Sequence, residues 1–133
     1  MKRKVLIIED DIALYNMYST ELSLRGYEVL NVSDGSKAFD EVKKEKPDLI
    51  LLDVMLPQRN GLDILGDIKS SEDTKDIRVV MLTNYGTDEN ISKAVELGAE
   101  DYILKYNIVP SELSSKVNAI LGDESDSAIK LVG

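Results

Sequence analysis

The stretch Lys4-Val-Leu-Ile-Ile-Glu9-Asp10-Asp11 runs from four apolar residues directly into three acids. A second stretch, Pro47-Asp-Leu-Ile-Leu-Leu-Asp53, repeats this pattern of an apolar run followed by an acid. Unbroken runs of β-forming residues are typical of strands that are buried on both faces, as in a parallel sheet. Each acid therefore lies at the carboxyl end of a predicted strand, which is the edge where open α/β sheets bind ligands.

The acids at these two strand ends predict a metal site. If the two strands are neighbours, Glu9, Asp10 and Asp53 come together at one edge of the sheet. Carboxylates held so close repel each other, which disfavours their ionisation unless a cation is present. A cluster of oxygen ligands suits a hard ion, so we predict Mg²⁺, with Mn²⁺ as an alternative.

The rest of the chain alternates between short β-forming runs and helical stretches that carry apolar residues at i, i+3 and i+4 spacing. Gly26 and Gly98 are predicted to end the first and fourth helices, Asp11 to cap the first, and Pro110 to begin the last. The predicted strands are Val5–Ile8, Tyr27–Val32, Leu49–Leu52, Ile77–Leu82 and Asp101–Leu104.

Five β-α units with short links predict a doubly wound parallel sheet with helices on both faces. Right-handed crossovers leave few topologies, and we predict the flavodoxin-like (βα)5 fold with strand order 2-1-3-4-5. In that order the first and third strands are neighbours at the switch point. The topology therefore brings Glu9 and Asp10 beside Asp53.

Length and composition predict one domain. The chain has 133 residues, 43% of them hydrophobic, and a net charge of -9. We assign residues 1–122 to the domain and expect the tail 123–133 to be mobile, with no output domain after it. The acidic charge argues against direct binding to nucleic acid or to an anionic membrane. Because no apolar run approaches a bilayer span and there is no cysteine, we expect a cytoplasmic protein.

From Lys4 to about Leu121 the chain resembles a response-regulator receiver domain, the phospho-accepting part of two-component signalling. The strongest segment is Asp48-Leu-Ile-Leu-Leu-Asp53-Val-Met-Leu-Pro57-Gln-Arg-Asn-Gly61, which is similar to the family's phosphorylation loop. The resemblance implies that Asp53 is the phospho-acceptor. It also implies that Asp10 binds Mg²⁺ directly, Glu9 through water, and Met55 through its backbone carbonyl.

The resemblance extends to the fourth and fifth strands. Thr83, which ends Val79-Val-Met-Leu-Thr83, matches the hydroxyl residue that contacts the phosphoryl group. Lys105, which ends Asp101-Tyr-Ile-Leu-Lys105, matches the family's lysine, and Tyr102 falls on its aromatic switch position. The next residue is Tyr106, where the family usually has a proline, so the conformation of the Lys105–Tyr106 bond is left open.

As a receiver domain the chain would catalyse only its own phosphorylation and dephosphorylation. The resemblance implies a sensor histidine kinase or a histidine phosphotransfer protein as donor. It implies a downstream protein target that binds the face made by the fourth helix, fifth strand and fifth helix. Two alternatives stay open: a pseudo-receiver that acts as an interaction module, and a phosphohydrolase of the haloacid-dehalogenase type. The second needs an acid two residues after Asp53, where this chain has Met55.

Overall fold

The computed structural model describes residues 2–122, and these form an α/β fold in which strands and helices alternate. The predicted tail 123–133 lies outside the described residues. No helix within residues 2–122 combines the length and the apolar character needed to cross a bilayer. The strands are β1 (Lys4–Ile8), β2 (Glu28–Val32), β3 (Leu49–Leu52), β4 (Arg78–Thr83) and β5 (Asp101–Leu104). The α-helices are α1 (Ile12–Leu24), α2 (Gly35–Glu45), α3 (Gly61–Ser70), α4 (Asp88–Leu97) and α5 (Pro110–Leu121).

All strand pairs are parallel, and the sheet order is β2-β1-β3-β4-β5, which confirms the predicted topology. Ile8 of β1 lies opposite Leu52 of β3, at the carboxyl ends of both strands. The backbone N–H of Asp53 continues this ladder by donating to the carbonyl of Ile8 at 3.2 Å. Residues that follow β1 and β3 therefore leave the sheet side by side.

Two apolar clusters cover the two faces of the sheet. Successive strand residues point to opposite faces, and both faces are covered here, which explains the unbroken apolar runs of β1 and β3. On one face, Tyr18 and Leu22 of α1 and Val117 of α5 pack against the sheet. On the other face α2, α3 and α4 pack against it. The helices thus cover the faces and leave the carboxyl edge of the sheet open.

Two strands begin one residue later than predicted. The N–H of Tyr27 donates to the carbonyl of Leu22 at 3.1 Å, and the N–H of Ile77 donates to the carbonyl of Thr74 at 3.0 Å. Both residues are apolar enough to be read as strand. Their backbone groups are instead used in the turns that precede β2 and β4.

The predicted helix ends are confirmed. The side chain of Asp11 accepts hydrogen bonds from the first turn of α1, and Pro110 is the first residue of α5. Gly98 ends α4 with φ +101, in the left-handed region that favours glycine. An unpredicted 3-10 helix, Lys105–Asn107, follows β5. All peptide bonds within residues 2–122, including the Lys105–Tyr106 bond, are trans.

Candidate functional site

The three predicted acids meet at the carboxyl edge of the sheet. Glu9 follows β1 and Asp53 follows β3, and each offers a carboxylate oxygen within 4.8 Å of the others and of one from Asp10. Glu9 and Asp53 are buried, with 3% and 6% of their surface exposed, whereas Asp10 is exposed. The cluster therefore has two carboxylates in its floor and one at its open side.

Lys105 brings a positive charge into this cluster. Its Nζ lies 2.7 Å from Oδ2 of Asp53 and also forms an ion pair with Oε1 of Glu9. Its side chain is only 6% exposed. Because β4 separates β5 from β3, the long side chain of lysine is needed to cross the intervening strand. The trans bond to Tyr106 is thus compatible with the contact between Lys105 and Asp53.

Burial and pairing act in opposite directions on these charges. Burial alone would lower the pKa of Lys105, but the hydrogen bonds and charges of Asp53 and Glu9 outweigh it and raise the pKa above its ordinary value. Burial raises the pKa of Glu9, although the Lys105 ammonium and the N–H of Asp11, 3.1 Å from Glu9 Oε2, oppose that rise. The ammonium therefore remains charged at neutral pH.

The loop after Asp53 folds back tightly against it. The N–H of Met55 donates to Oδ1 of Asp53 at 3.3 Å, and the N–H of Gly61 donates to the carbonyl of Val54 at 2.7 Å. A Cβ at position 61 would lie 1.9 Å from the carbonyl oxygen of Asp53, so only glycine allows this approach. The glycine in the phosphorylation-like segment thus has a local physical reason.

The cluster lies in an open recess of about 220 Å³. A larger groove of about 440 Å³ between α3 and α4 contains none of the predicted site residues. The residues that line the recess are Glu9, Asp10, Asp11, Leu14, Asp53, Met55, Asn84, Tyr85 and Lys105. Asn84 was not predicted for the site. Since it directly follows Thr83 at the end of β4, the reasoning used for the acids would have placed it there.

Thr83 and Tyr102 do not line the recess, but both contact the loop beside it. Thr83 is fully buried, and its Oγ1 accepts a hydrogen bond from the N–H of Tyr85 at 3.3 Å. The half-buried Tyr102 donates from its hydroxyl to the carbonyl of Tyr85. The two predicted residues are therefore linked through the backbone of Tyr85. Position 85 carries no strand-end or capping signal for this role.

The donor set fits a hard divalent cation. It consists of carboxylate oxygens, with neither imidazole nor thiolate, because the chain has no histidine and no cysteine. Three ionised carboxylates in this cluster would carry three negative charges, of which the Lys105 ammonium compensates one. A cation beside Asp10 would therefore balance charge that the protein leaves uncompensated.

Asp10→Asn removes one clustered charge and leaves both ion pairs of Lys105 in place. We expect the metal-free variant to be more stable by about 0.5 kcal/mol, a small gain because the exposed Asp10 is screened by solvent. Urea unfolding in EDTA measures this difference. Asp40→Asn, at an exposed position of α2, controls for loss of one charge from an acidic chain. An Asp10→Asn protein less stable than wild type would contradict the clustering.

Comparisons with known proteins agree with this geometry. The family model of the response regulator receiver domain matches residues 5–118. The phosphate regulon transcriptional regulatory protein PhoB of Pseudomonas aeruginosa is 37% identical over 119 residues, which cover 90% of this chain and 52% of that protein. The chain thus spans about half the length of this curated relative.

Solved structures agree as well. The BeF3-activated N-terminal receiver domain of Klebsiella pneumoniae RstA superposes with a TM-score of 0.82 at 30% identity, covering 91% of this chain and all of that chain. The Mn²⁺-bound form of response regulator Rcp1 superposes with a TM-score of 0.82 at 26% identity, covering 90% and 95% of the two chains. With its fold, its acidic recess and the family match over most of its length, this chain belongs to the response-regulator receiver domains of two-component systems.

Proposed function

We propose that the chain accepts a phosphoryl group on Asp53, in a reaction that requires Mg²⁺, from a histidine kinase or a histidine phosphotransfer protein. One observation carries the proposal: Asp53 lies in an open recess, with carboxylate oxygens of Glu9 and Asp10 within 4.8 Å and the buried Lys105 ammonium at 2.7 Å. Two structurally similar proteins support it, since the receiver domain of RstA is BeF3-activated and Rcp1 is in its Mn²⁺-bound form. Mn²⁺ is therefore a second candidate ion.

The transfer exchanges one bond to phosphorus for another. A carboxylate oxygen of Asp53 attacks the phosphorus of a phosphohistidine, the P–N bond breaks, and the imidazole leaves with the bonding electrons. The donor histidine lies outside these 133 residues, since they contain no histidine. The reaction depends mainly on positioning and on neutralising the charge of the phosphoryl oxygens.

Each surrounding group has a separate task in this transfer. Lys105, already 2.7 Å from Asp53, would pair with one phosphoryl oxygen, and the Thr83 hydroxyl would donate to another. Asp10, Glu9, Asp53 and the Met55 carbonyl would hold Mg²⁺, which supplies positive charge for the remaining oxygen when bound. The haloacid-dehalogenase alternative is not favoured, because an acid/base residue is missing where Met55 stands.

Mass spectrometry of the intact protein tests this function. After incubation with acetyl phosphate and Mg²⁺, we expect a mass increase that corresponds to one phosphate. The increase should disappear when EDTA removes the metal. Labelling that EDTA does not diminish would contradict the metal-dependent reaction, and an unlabelled protein would favour the pseudo-receiver alternative.

We further propose that phosphorylation changes the face made by α4, β5 and α5, where a downstream protein binds. The path starts at Thr83, continues through the Tyr85 backbone and ends at the Tyr102 hydroxyl. A Thr83 hydroxyl drawn to the phosphoryl group would release the N–H of Tyr85 and shift the loop that Tyr102 holds. Such a change is a population shift between two packings.

We propose no direct nucleic-acid contact for this acidic domain.

NMR spectra recorded before and after phosphorylation test this path. We expect shifts at Asp53 and also around Tyr102 and α4. Tyr102→Phe lacks the hydroxyl that binds the Tyr85 carbonyl. It should keep the chemical shift changes at Asp53 and reduce those around position 102 and α4. Tyr15→Phe is the control, because Tyr15 lies on α1, outside the face made by α4, β5 and α5. Shifts confined to the Asp53 loop in the wild-type protein would refute the coupling.

A further inference from the structure

Asn31 is an unusual residue for its place in the sheet. It lies within the edge strand β2, between Leu30 and Val32, and asparagine is depleted in strands. Leu30 and Val32 pack into the apolar cluster that α2 and α3 cover. The half-buried Asn31 instead uses its side chain for hydrogen bonding.

The amide of Asn31 binds two carbonyls of the neighbouring chain segment. Its Nδ2 donates to the carbonyl of Ile7 at 3.0 Å and to the carbonyl of Glu9 at 3.2 Å. The parallel register ends with Ile8 opposite Val32, and its last bond runs from the N–H of Glu9 to the carbonyl of Val32 at 3.0 Å. The Glu9 carbonyl therefore lies just beyond the register, where Asn31 supplies a donor.

This carbonyl belongs to the peptide unit that joins Glu9 to Asp10. The peptide unit is planar, so a hydrogen bond to its oxygen also restrains the nitrogen and Cα of Asp10. Glu9 is held in addition through its carboxylate, by Lys105 and by the N–H of Asp11. Asp10 is exposed and starts the turn into α1, so the orientation of its side chain depends on this peptide.

We propose that Asn31 is a positioning residue for the metal site: its amide holds the Glu9–Asp10 peptide in one orientation and thereby places the Asp10 carboxylate. The proposal rests on the metal-dependent function proposed above and extends it to a residue outside the acidic recess. Residues that hold metal ligands in place affect affinity without touching the ion. Asn31 would act in this way from the edge strand, through the backbone.

Mg²⁺ titration of the unphosphorylated protein, followed by amide chemical shifts, tests the proposal. Asn31→Leu keeps the size of the side chain and removes the donor. We expect it to raise the Mg²⁺ dissociation constant about tenfold, the lower end of what loss of an outer hydrogen bond costs a metal site. The amide signal of Asp10 should also move before any Mg²⁺ is added, because its nitrogen shares the peptide with the Glu9 carbonyl.

A matched control separates positioning from general destabilisation. The buried Thr74 donates from its hydroxyl to the carbonyl of Ile68 at 2.6 Å, which is the same kind of bond away from the acids. Thr74→Val should reduce stability in urea and leave the Mg²⁺ dissociation constant within twofold of wild type. Asn31→Leu with unchanged Mg²⁺ affinity, or equal weakening by both variants, would overturn the proposal. A wild-type protein that binds no Mg²⁺ would instead overturn the proposed function, and this proposal with it.

Discussion

Asp53→Asn is expected to abolish phosphorylation by acetyl phosphate. An amide is a far weaker nucleophile than a carboxylate, and Asp53 is the acid on which Lys105 and the N–H of Met55 both converge. Asp10 is the competing acceptor, because its carboxylate is in the same cluster and more exposed. Intact mass measured in the presence of Mg²⁺ should therefore show the added phosphate in the wild type and none in the variant.

Asp48→Asn is the matched control for this experiment. Asp48 precedes β3 just as Asp53 follows it, and its carboxylate accepts a hydrogen bond from the backbone N–H of Lys4 at 2.7 Å. The same substitution at the opposite end of the strand should leave labelling intact. Circular dichroism should show that both variants are folded. Strong labelling of Asp53→Asn would reassign the phospho-acceptor, and loss of labelling in both variants would make the effect structural.

The phosphate on Asp53 is expected to be long-lived. Hydrolysis requires a water in line with the phosphorus–oxygen bond, and Met55 and Tyr85 both line the recess on its open side. They are 52% and 48% exposed, so they form its rim. A thioether is a weak acceptor and orients a water poorly, and the tyrosine ring is bulky enough to shield the approach.

Polar residues at these two positions should shorten the lifetime of the phosphate. In the double variant Met55→Asn with Tyr85→Glu we expect the phosphate to be hydrolysed on the order of tenfold to hundredfold faster than in the wild type. This increase is smaller than the largest rate gains that a positioned general acid or base provides. Decay of the purified phosphoprotein, followed by intact mass, measures it. Met55→Leu and Tyr85→Phe keep the apolar rim and should decay at the wild-type rate. A double variant that decays no faster would refute the shielding.

Most of the architecture could be predicted from local patterns. Strands buried on both faces require unbroken apolar runs, and β1 and β3 have them, so the positions of Glu9 and Asp53 at strand ends followed directly. The predicted starts of β2 and β4 were wrong because the first apolar residue of each run belongs to a turn. Tyr27 and Ile77 have strand-like side chains, but their N–H groups are bonded to preceding turns. The pattern of side chains along the sequence does not show which carbonyl a backbone N–H group will bind.

The site could be predicted only in part. Grouping Glu9, Asp10 and Asp53 required the strand order alone, because residues after neighbouring parallel strands share an edge. Lys105 required more, since its contact to two acids depends on how far a side chain reaches across β4. Thr83 and Tyr102 lie outside the recess, and both are hydrogen-bonded to the backbone of Tyr85. No sequence pattern indicated this arrangement.

By itself the sequence determined the alternation of strands and helices, the parallel sheet and the acids at its carboxyl edge, because each depends on residue type and spacing along the chain. Only the tertiary structure decided which groups hold those acids. Lys105, which follows β5, reaches Glu9 and Asp53 although β5 is not a neighbour of β1 or β3 in the sheet. Asn31 reaches the Glu9 carbonyl from the edge of the sheet. Such contacts join residues far apart in the chain, and their distances exist only once the elements have packed.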